Sequence, residues 1–541
     1  MSEGNRAAAR HHDEAVAVER EGVVEPKGLK SNALGLVTST GVGIASTAPA
    51  YSLAATLGFV VAVARFQTAI IVLLAFIPMF FSAWATKEMN RADPDCGTSF
   101  TWAARALGPR TGWFAGGWGT IAADFLAMAS YAQIAGQYVF LLVGADSIGT
   151  DPTSIWVLLL GILWIVGLTY ICYRGIEISA HMQMVLVIVE MVILLVLSVF
   201  AIVKVANGTA PPGHASPSWS WFNPGQITSF NNFMVAMLLM VFIYWGWDTT
   251  TSVNEETEEP SRIPGTAGVI STVLLLATYL IVVVSVLAFA GVGTHGVGLS
   301  NPEHADDVLS VLGSTIFGGS GVGSVLSHLL ILMVLTSAAA TTQTTILPNA
   351  RTTLSMAFHK AIPKIFGRTH PRYLTPTFST ISFGAASIVY YAAINFIAGG
   401  SVIADAVTAT TFFAALYLGI TGAACAWHYR SVVYLGVQQT VSQVVVPALA
   451  ALSLFALLGW SLKVYAVPSE SEFEVTILGV QVGGVMLISV ITVIVGLAWM
   501  AWCEFVTNRA YFRENTIGSG LSLTEDDRIV PTGSIGGDGG P

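Results

Sequence analysis

Uninterrupted apolar stretches of about twenty residues recur along the whole chain, and that is the length an α-helix needs to cross the hydrocarbon core of a bilayer. They lie near residues 33–59, 68–86, 112–143, 155–173, 179–203 and 228–251, then near 265–292, 325–347, 376–398, 402–427, 441–462 and 475–506. Twelve spans result. Lipid offers no water to a bare backbone, so segments of this kind cross as helices. The expected fold class is an all-α polytopic membrane protein. Composition agrees: 54% of the 541 residues are hydrophobic and 10% charged, against about a quarter charged in a soluble chain.

Positive residues in short loops are retained on the cytoplasmic side. With the amino terminus inside, only Arg65, Lys204 and Lys463 of the 23 Lys and Arg fall outside, which fixes an orientation with both termini cytoplasmic. On that reading Cys96 faces the cytoplasm and should label from that side. Residues 1–30 and 508–541 are polar and read as disordered cytoplasmic tails flanking a core at 31–430 and a final helix pair at 431–507. The first thirty residues lack the short apolar run and cleavage site of a signal peptide. Cys96, Cys172, Cys425 and Cys503 are widely spaced, with no metal-ligand or redox pairing. Neither a metal site nor a cofactor is expected, and no basic surface suggests nucleic acid. The expected partners are the lipid bilayer and a small solute.

Two spans carry interruptions. The first contains GVGIASTAP (41–49) and the sixth contains FIYWGWD (242–248). Glycine eases departure from helical geometry, and unwound backbone at membrane depth is tolerated where it lines a protein cavity; close helix packing through small residues is the alternative. Five spans separate the starts of the two segments, as expected of two inverted five-helix repeats with broken helices 1 and 6, followed by two C-terminal helices. The substrate site then lies between the breaks. Exposed N–H groups at a break suit a carboxylate and freed carbonyls suit an ammonium group, so a zwitterionic amino acid fits both poles.

Ionisable side chains deep in spans cost about 2.5–3.5 kcal/mol on insertion scales, which makes Asp124, Glu190, Asp248 and Asp405 functional candidates. No Lys or Arg sits near mid-span, so the acidic interior favours a travelling cation: a proton, sodium or the substrate's own ammonium group. Asp405, near a span end, can also reach the outer interface. Glu190 is a lone acid in the otherwise apolar fifth span, suited to carrying a proton because burial favours its neutral form; a structural acid is the alternative. Thr336, Ser337, Thr341 and Thr342 of span eight supply hydroxyls that could join span-one carbonyls around sodium. His328 reads as structural.

Four separated regions, GVGIASTAP, KEMNRADPDCGTSFTWAARALGPRTGW, YRGIEISAHMQ and GWDTTTSVNEETEEPSRIP, together with ILPNARTTLSMAFHKAIPKIFGRTHPRYLTP, resemble the amino acid-polyamine-organocation (APC) superfamily over most of residues 33–430. The resemblance implies an amino acid permease in the plasma membrane, working as a symporter by alternating access, with proton-coupled uptake. Amine transport, exchange or sodium coupling are the alternatives. It places Gly41, Val42 and Gly43 in a Gly-x-Gly carboxylate cradle, helped by Ser46 or Thr47. Val42 stands where a serine is common, and the following proline is displaced by one position. Phe242 matches a gating aromatic, Phe242 and Trp245 offer carbonyl groups to the amine, and Tyr244 and Gly246 complete the segment. Many members have a lysine pattern where this chain has Glu190. An intramembrane enzyme is disfavoured, since no HExxH pair, nucleophile elbow or Cys-His arrangement occurs, and GVGTHG (291–296) ends an apolar span with no strand before it. A channel, which needs a polar pore ring, is disfavoured too.

Overall fold

The long apolar runs fold as helices because lipid forces their backbone groups to pair within the segment. The structure, a computed structural model, describes residues 27–514 and 517, apart from 228, 305–307, 319–320, 399–400 and 435. Among these, eleven segments are long and apolar enough to cross a membrane. The first, Leu36–Ala92, is 57 residues long, or about 85 Å as one helix, nearly three hydrocarbon cores. It is divided into α1 (Leu36–Thr47), α2 (Pro49–Ala64) and α3 (Thr68–Ala92) by positive φ at Ala48 and Arg65. Leu34, just before it, pairs with Thr257, and Asn90 near its end donates to the Pro260 carbonyl. The segment therefore returns to the side it started from, which is why the sequence reading counts it as two spans.

Next come α4 (Ser99–Leu107), α5 (Gly119–Leu142), α6 (Ile155–Arg174), α7 (Ile176–Ala206), α8 (Phe230–Tyr244) and the short α9 (Thr249–Ser252). They are followed by α10 (Ile263–Ala290), α11 (Val308–Phe317), α12 (Val322–Phe358), α13 (Thr377–Ala398), α14 (Ser401–His428), α15 (Val446–Tyr465) and α16 (Gly484–Trp502). Helix α7 explains how such a bundle sits in lipid. Val185, Ile188, Val192, Leu195 and Val199 are exposed at helical spacing, whereas Gln183, Val187, Glu190, Leu194 and Ala201 of the opposite face are buried. An outward apolar stripe is the lipid face, and the polar residues turn inward. The span-1 and span-6 breaks occupy corresponding places. So do α4, between spans two and three, and α11, between spans seven and eight, as inverted repeats require.

Two expectations change. The apolar pattern starts the last span at 475, but Glu474–Ile477 and Val480–Gly483 form an antiparallel hairpin, β1 and β2, and α16 begins at Gly484. The two-residue turn Leu478–Gly479 has positive φ at both positions, the geometry that suits a tight hairpin, and the β-branched Val475, Thr476, Ile477, Val480 and Val482 favour strands over helix. The expected tails fall largely outside the described residues. Within them, Lys27 is buried against the bundle, and Arg509–Glu514 form α17, whose buried Tyr511 donates to the Pro109 carbonyl.

Candidate functional site

Span one breaks where Pro49 removes a donor. Lacking an N–H, Pro49 cannot bond the Ala45 carbonyl, which accepts instead from Ala48 N and from Thr341 Oγ1 at 3.1 Å. Ala48 takes a left-handed conformation, φ 46°, at a cost of about 1–2 kcal/mol. Helix α2 then begins at Pro49, and Glu190 of α7 caps it: Ala50 N donates to Glu190 Oε1 at 2.5 Å, and Ser337 Oγ of α12 donates to the same oxygen at 2.9 Å. Glu190 is fully buried, and its Oε2 has no hydrogen-bond partner among the described residues. The α2 N-terminus, with its dipole and orphan N–H groups, is thus served by an internal carboxylate.

Span six breaks between Tyr244 and Thr249. Trp245 is extended and Gly246 has φ 120°, a backbone conformation open to glycine and costly for other residues. A Cβ on Gly246 would lie 2.5 Å from the Ser46 carbonyl, so the two breaks touch through backbone at this glycine. Ser46 and Thr249 hydroxyls join them at 2.8 Å.

A small polar cavity opens at that contact, lined by Ser46, Trp245, Gly246, Asp248 and Thr249 of the breaks, Asp124 and Tyr131 of α5, Thr345 and Pro348 of α12, and Tyr417 of α14. Two carboxylates face it, and no Lys, Arg or His is among its lining residues. Asn349 Nδ2 donates to Asp124 Oδ2 at 2.7 Å; Trp245 Nε1 donates to the Tyr417 hydroxyl at 2.6 Å, which donates to Asp248 Oδ2 at 2.8 Å.

Of the residues singled out from sequence, the cavity gathers Ser46, Trp245, Gly246, Asp124 and Asp248. Gly41, Val42 and Gly43 lie inside α1, so their N–H groups are spent on the helix. The two glycines serve close packing instead, since a Cβ would meet Met184 at Gly41 and Ser271 and Thr250 at Gly43. Thr47 bonds the Ile44 carbonyl. Phe242 lines a neighbouring apolar pocket with Met79 and Leu454, and Trp245 forms the wall between the two; the Phe242 carbonyl accepts from Trp245 N. Tyr244 points away, donating to the Val72 carbonyl and packing on Tyr279. Asp405 accepts N–H bonds from Glu472 and Phe473, both 2.9 Å, pinning the loop before the hairpin. His328 contacts the Ser324 carbonyl on its own helix. Sequence reasoning missed Tyr131, Thr249, Thr345, Pro348 and Tyr417. Tyr131 falls seven residues after Asp124 and so on the same helix face, and Pro348 inside a span was a signal of its own.

A second buried polar cluster lies at the end of the bundle that carries Lys27. Lys27 Nζ bonds Asp95 Oδ2 at 2.9 Å and Glu255 Oε1 at 2.6 Å; Ser355 and His359 add bonds to Asp95; Arg351 grips Glu256 bidentately at 2.8 and 2.9 Å. Burial opposes its charge, but Lys27 and His359 outweigh it and hold the Asp95 carboxyl well below the usual range. Burial likewise opposes the Lys27 ammonium, and Asp95 and Glu255 raise it well above its ordinary value. Asp95, Cys96 and Glu255 are close enough together to hold a metal, but the Lys27 ammonium already bonds both acids. Cys96, offered from sequence as a surface label, is fully buried with its thiol on the Arg351 carbonyl, because the loop that carries it folds under this cluster.

Comparison with known proteins gives a consistent result. The model of the amino acid permease family matches residues 34–512. An uncharacterised transporter of Mycobacterium tuberculosis is 24% identical over 353 residues, 65% of this chain and 70% of that one. The branched-chain amino acid permease BcaP of Bacillus subtilis is 26% identical over 376 residues, 65% of this chain and 69% of BcaP. The low-affinity putrescine importer PlaP of Escherichia coli is 24% identical over 329 residues, 60% of this chain and 66% of PlaP.

Proposed function

Because this chain belongs to the amino acid permease family, a family of amino acid and amine transporters, we propose that it is a secondary active permease of the cell membrane. In this reading it works by alternating access around the cavity between the two breaks, with both termini in the cytoplasm. The observation that carries the reading is the meeting of the breaks at Ser46 and Gly246 beside Asp124 and Asp248: irregular backbone at membrane depth is tolerated where it lines a cavity, and this cavity is polar. Relatives named for branched-chain amino acids and for putrescine set the range of solutes to test.

Glu190 is the coupling residue of this proposal. It sits at the α2 N-terminus, bonded to Ala50 N and Ser337, where rotation of either broken half against α7 and α12 changes its partners and so its proton affinity. One inward charge gains about 2.3 kcal/mol per 100 mV, which at about 1.36 kcal/mol per decade supports roughly 50-fold accumulation. Glu190→Gln mimics the protonated form. Proteoliposomes carrying it are expected to exchange substrate and to lose uphill uptake under an imposed pH gradient; uphill uptake with the parent's pH dependence overturns the assignment. Sodium is a second reading, favoured by Ser337 and Thr341, which reach the broken helix at Tyr51 N and the Ala45 carbonyl. Uptake that follows sodium replacement rather than pH selects it.

A further inference from the structure

Resting on the reading of this cavity as the transport site, we propose that the substrate is a carboxylate-free organic cation, an alkylamine or diamine, and that Asp124 and Asp248 select it. Apart from the Tyr131 hydroxyl, which can donate or accept, the lining side chains present acceptors. Asp124 and Asp248 face the cavity without a basic partner among its lining residues. The hydroxyl of Thr345 gives its proton to the Thr341 carbonyl, and Thr249 Oγ1 reaches the Thr344 carbonyl. Trp245 spends its N–H on Tyr417, and Tyr417 spends its proton on Asp248. Beside Asp124, buried Asn349 gives its amide to that acid and leaves Oδ1 without a partner. An ammonium group is a pure donor and completes such a set, whereas a carboxylate is a pure acceptor and meets lone pairs. Tyr131, Trp245 and Tyr417 add ring faces, which attract a desolvated cation.

The first break reinforces the selection. No main-chain N–H is left there for a substrate carboxylate: Ala48 N bonds Ala45, Pro49 has none, Ala50 N bonds Glu190 and Tyr51 N bonds Ser337. Glu190 occupies the donor that an amino acid's carboxylate would seek. The chain supplies from α7 the anion that a zwitterionic substrate would otherwise bring.

The experiment uses ligand pairs that differ by one carboxylate, pentane-1,5-diamine against lysine and 3-methylbutylamine against leucine, in thermal-shift titrations of the purified full-length protein. The amine of each pair is expected to stabilise at concentrations about tenfold or more below its amino acid, as loss of an unmatched buried charge predicts. Asp124→Asn and Asp248→Asn are each expected to weaken the amines by about tenfold while eluting as the parent does. Tighter binding of lysine or leucine overturns the inference and leaves the transporter reading standing; stabilisation by none of the four overturns both. Amine affinity unchanged in both variants overturns the assignment of the two acids.

Discussion

The central cavity and the Lys27 end of the bundle both bury acids, and they resolve the cost in opposite ways. At the Lys27 end every buried acid of the cluster has a cation within the protein: Lys27 for Asp95 and Glu255, Arg351 for Glu256. In the cavity the hydrogen-bond partners of Asp124 and Asp248 among the described residues are neutral, Asn349 and Tyr417. A charge buried without a counter-charge is costly. The cluster fixes its cations and ties the segment before span one to the ends of spans six and eight. The cavity has no Lys, Arg or His among its lining residues, and in the proposed reading the substrate's ammonium group takes that role. Replacing a carboxylate by its amide in each region therefore tests the contrast directly.

The largest effect belongs to Glu256→Gln. It leaves the Arg351 guanidinium, fully buried, without its carboxylate, and breaking one partner of such a pair costs about 3–5 kcal/mol. The variant is expected to melt far below the parent in detergent, and combining it with Arg351→Met should recover part of the loss. An unchanged melting temperature would mean that the pair is solvated and the contrast false.

Lys27→Met comes next, at about 2–3 kcal/mol, because Ser355 and His359 still bond Asp95. The pH dependence carries the sign. In the parent, Asp95 is held low, so its contribution is present above the ordinary carboxyl value and lost only as pH falls through a lower one. Lys27 is raised, so its contribution is full below the ordinary lysine value and lost as pH rises through a higher one. Between them these two contributions are level across neutral pH. Without Lys27, burial acts on Asp95 and Glu255 without that counter-charge, and the variant should gain stability relative to the parent as pH falls from 7 to 5. Melting curves at both pH values check this.

How much of this was legible in the sequence follows from which forces act locally. Spans were readable because a run of apolar residues is itself the physical requirement for crossing lipid. The interruption of span one was readable too, but its position was not. Glycines at 41 and 43 permit unwinding without requiring it, and the helix continues through them as long as each N–H finds a carbonyl four residues back. Pro49 ends that supply, and Ala48 turns. The hairpin at 474–483 was read as part of a span because its residues are apolar, although their alternation carried the strand period. Asp124 and Asp248 stood out as charges, and Tyr131 shares a helix face with Asp124, whereas Thr345 and Tyr417 reach the cavity only through packing of two distant helices. Lys27 looked like part of a polar tail, since nothing near it in sequence announces Asp95 or Glu255.

Gly246→Ala is the third test and probes what holds the cavity shut in place of ion pairs. Its Cβ would lie 2.5 Å from the Ser46 carbonyl at φ 120°. The strain is about 1–3 kcal/mol, and it falls where the two breaks touch. Transport should be lost while most of the folded protein survives, which distinguishes this position from Glu256. Normal uptake by the variant would show that the breaks need not meet.

The smallest effect on stability, and the one of opposite sign, is expected from Asp248→Asn in the absence of any ligand. The amide keeps an oxygen to accept from Tyr417 and removes a half-buried charge that has no cation among the cavity's lining residues. Stability should stay level or rise by up to about 1 kcal/mol, against the loss expected of Glu256→Gln, although the chemical change is the same. An amine that stabilises the parent should then stabilise the variant less, so that the order of melting temperatures reverses when ligand is added. If Asp248→Asn instead melts as early as Glu256→Gln, Asp248 has a fixed partner in the protein, and the cavity is a second structural cluster rather than a place left open for a cation.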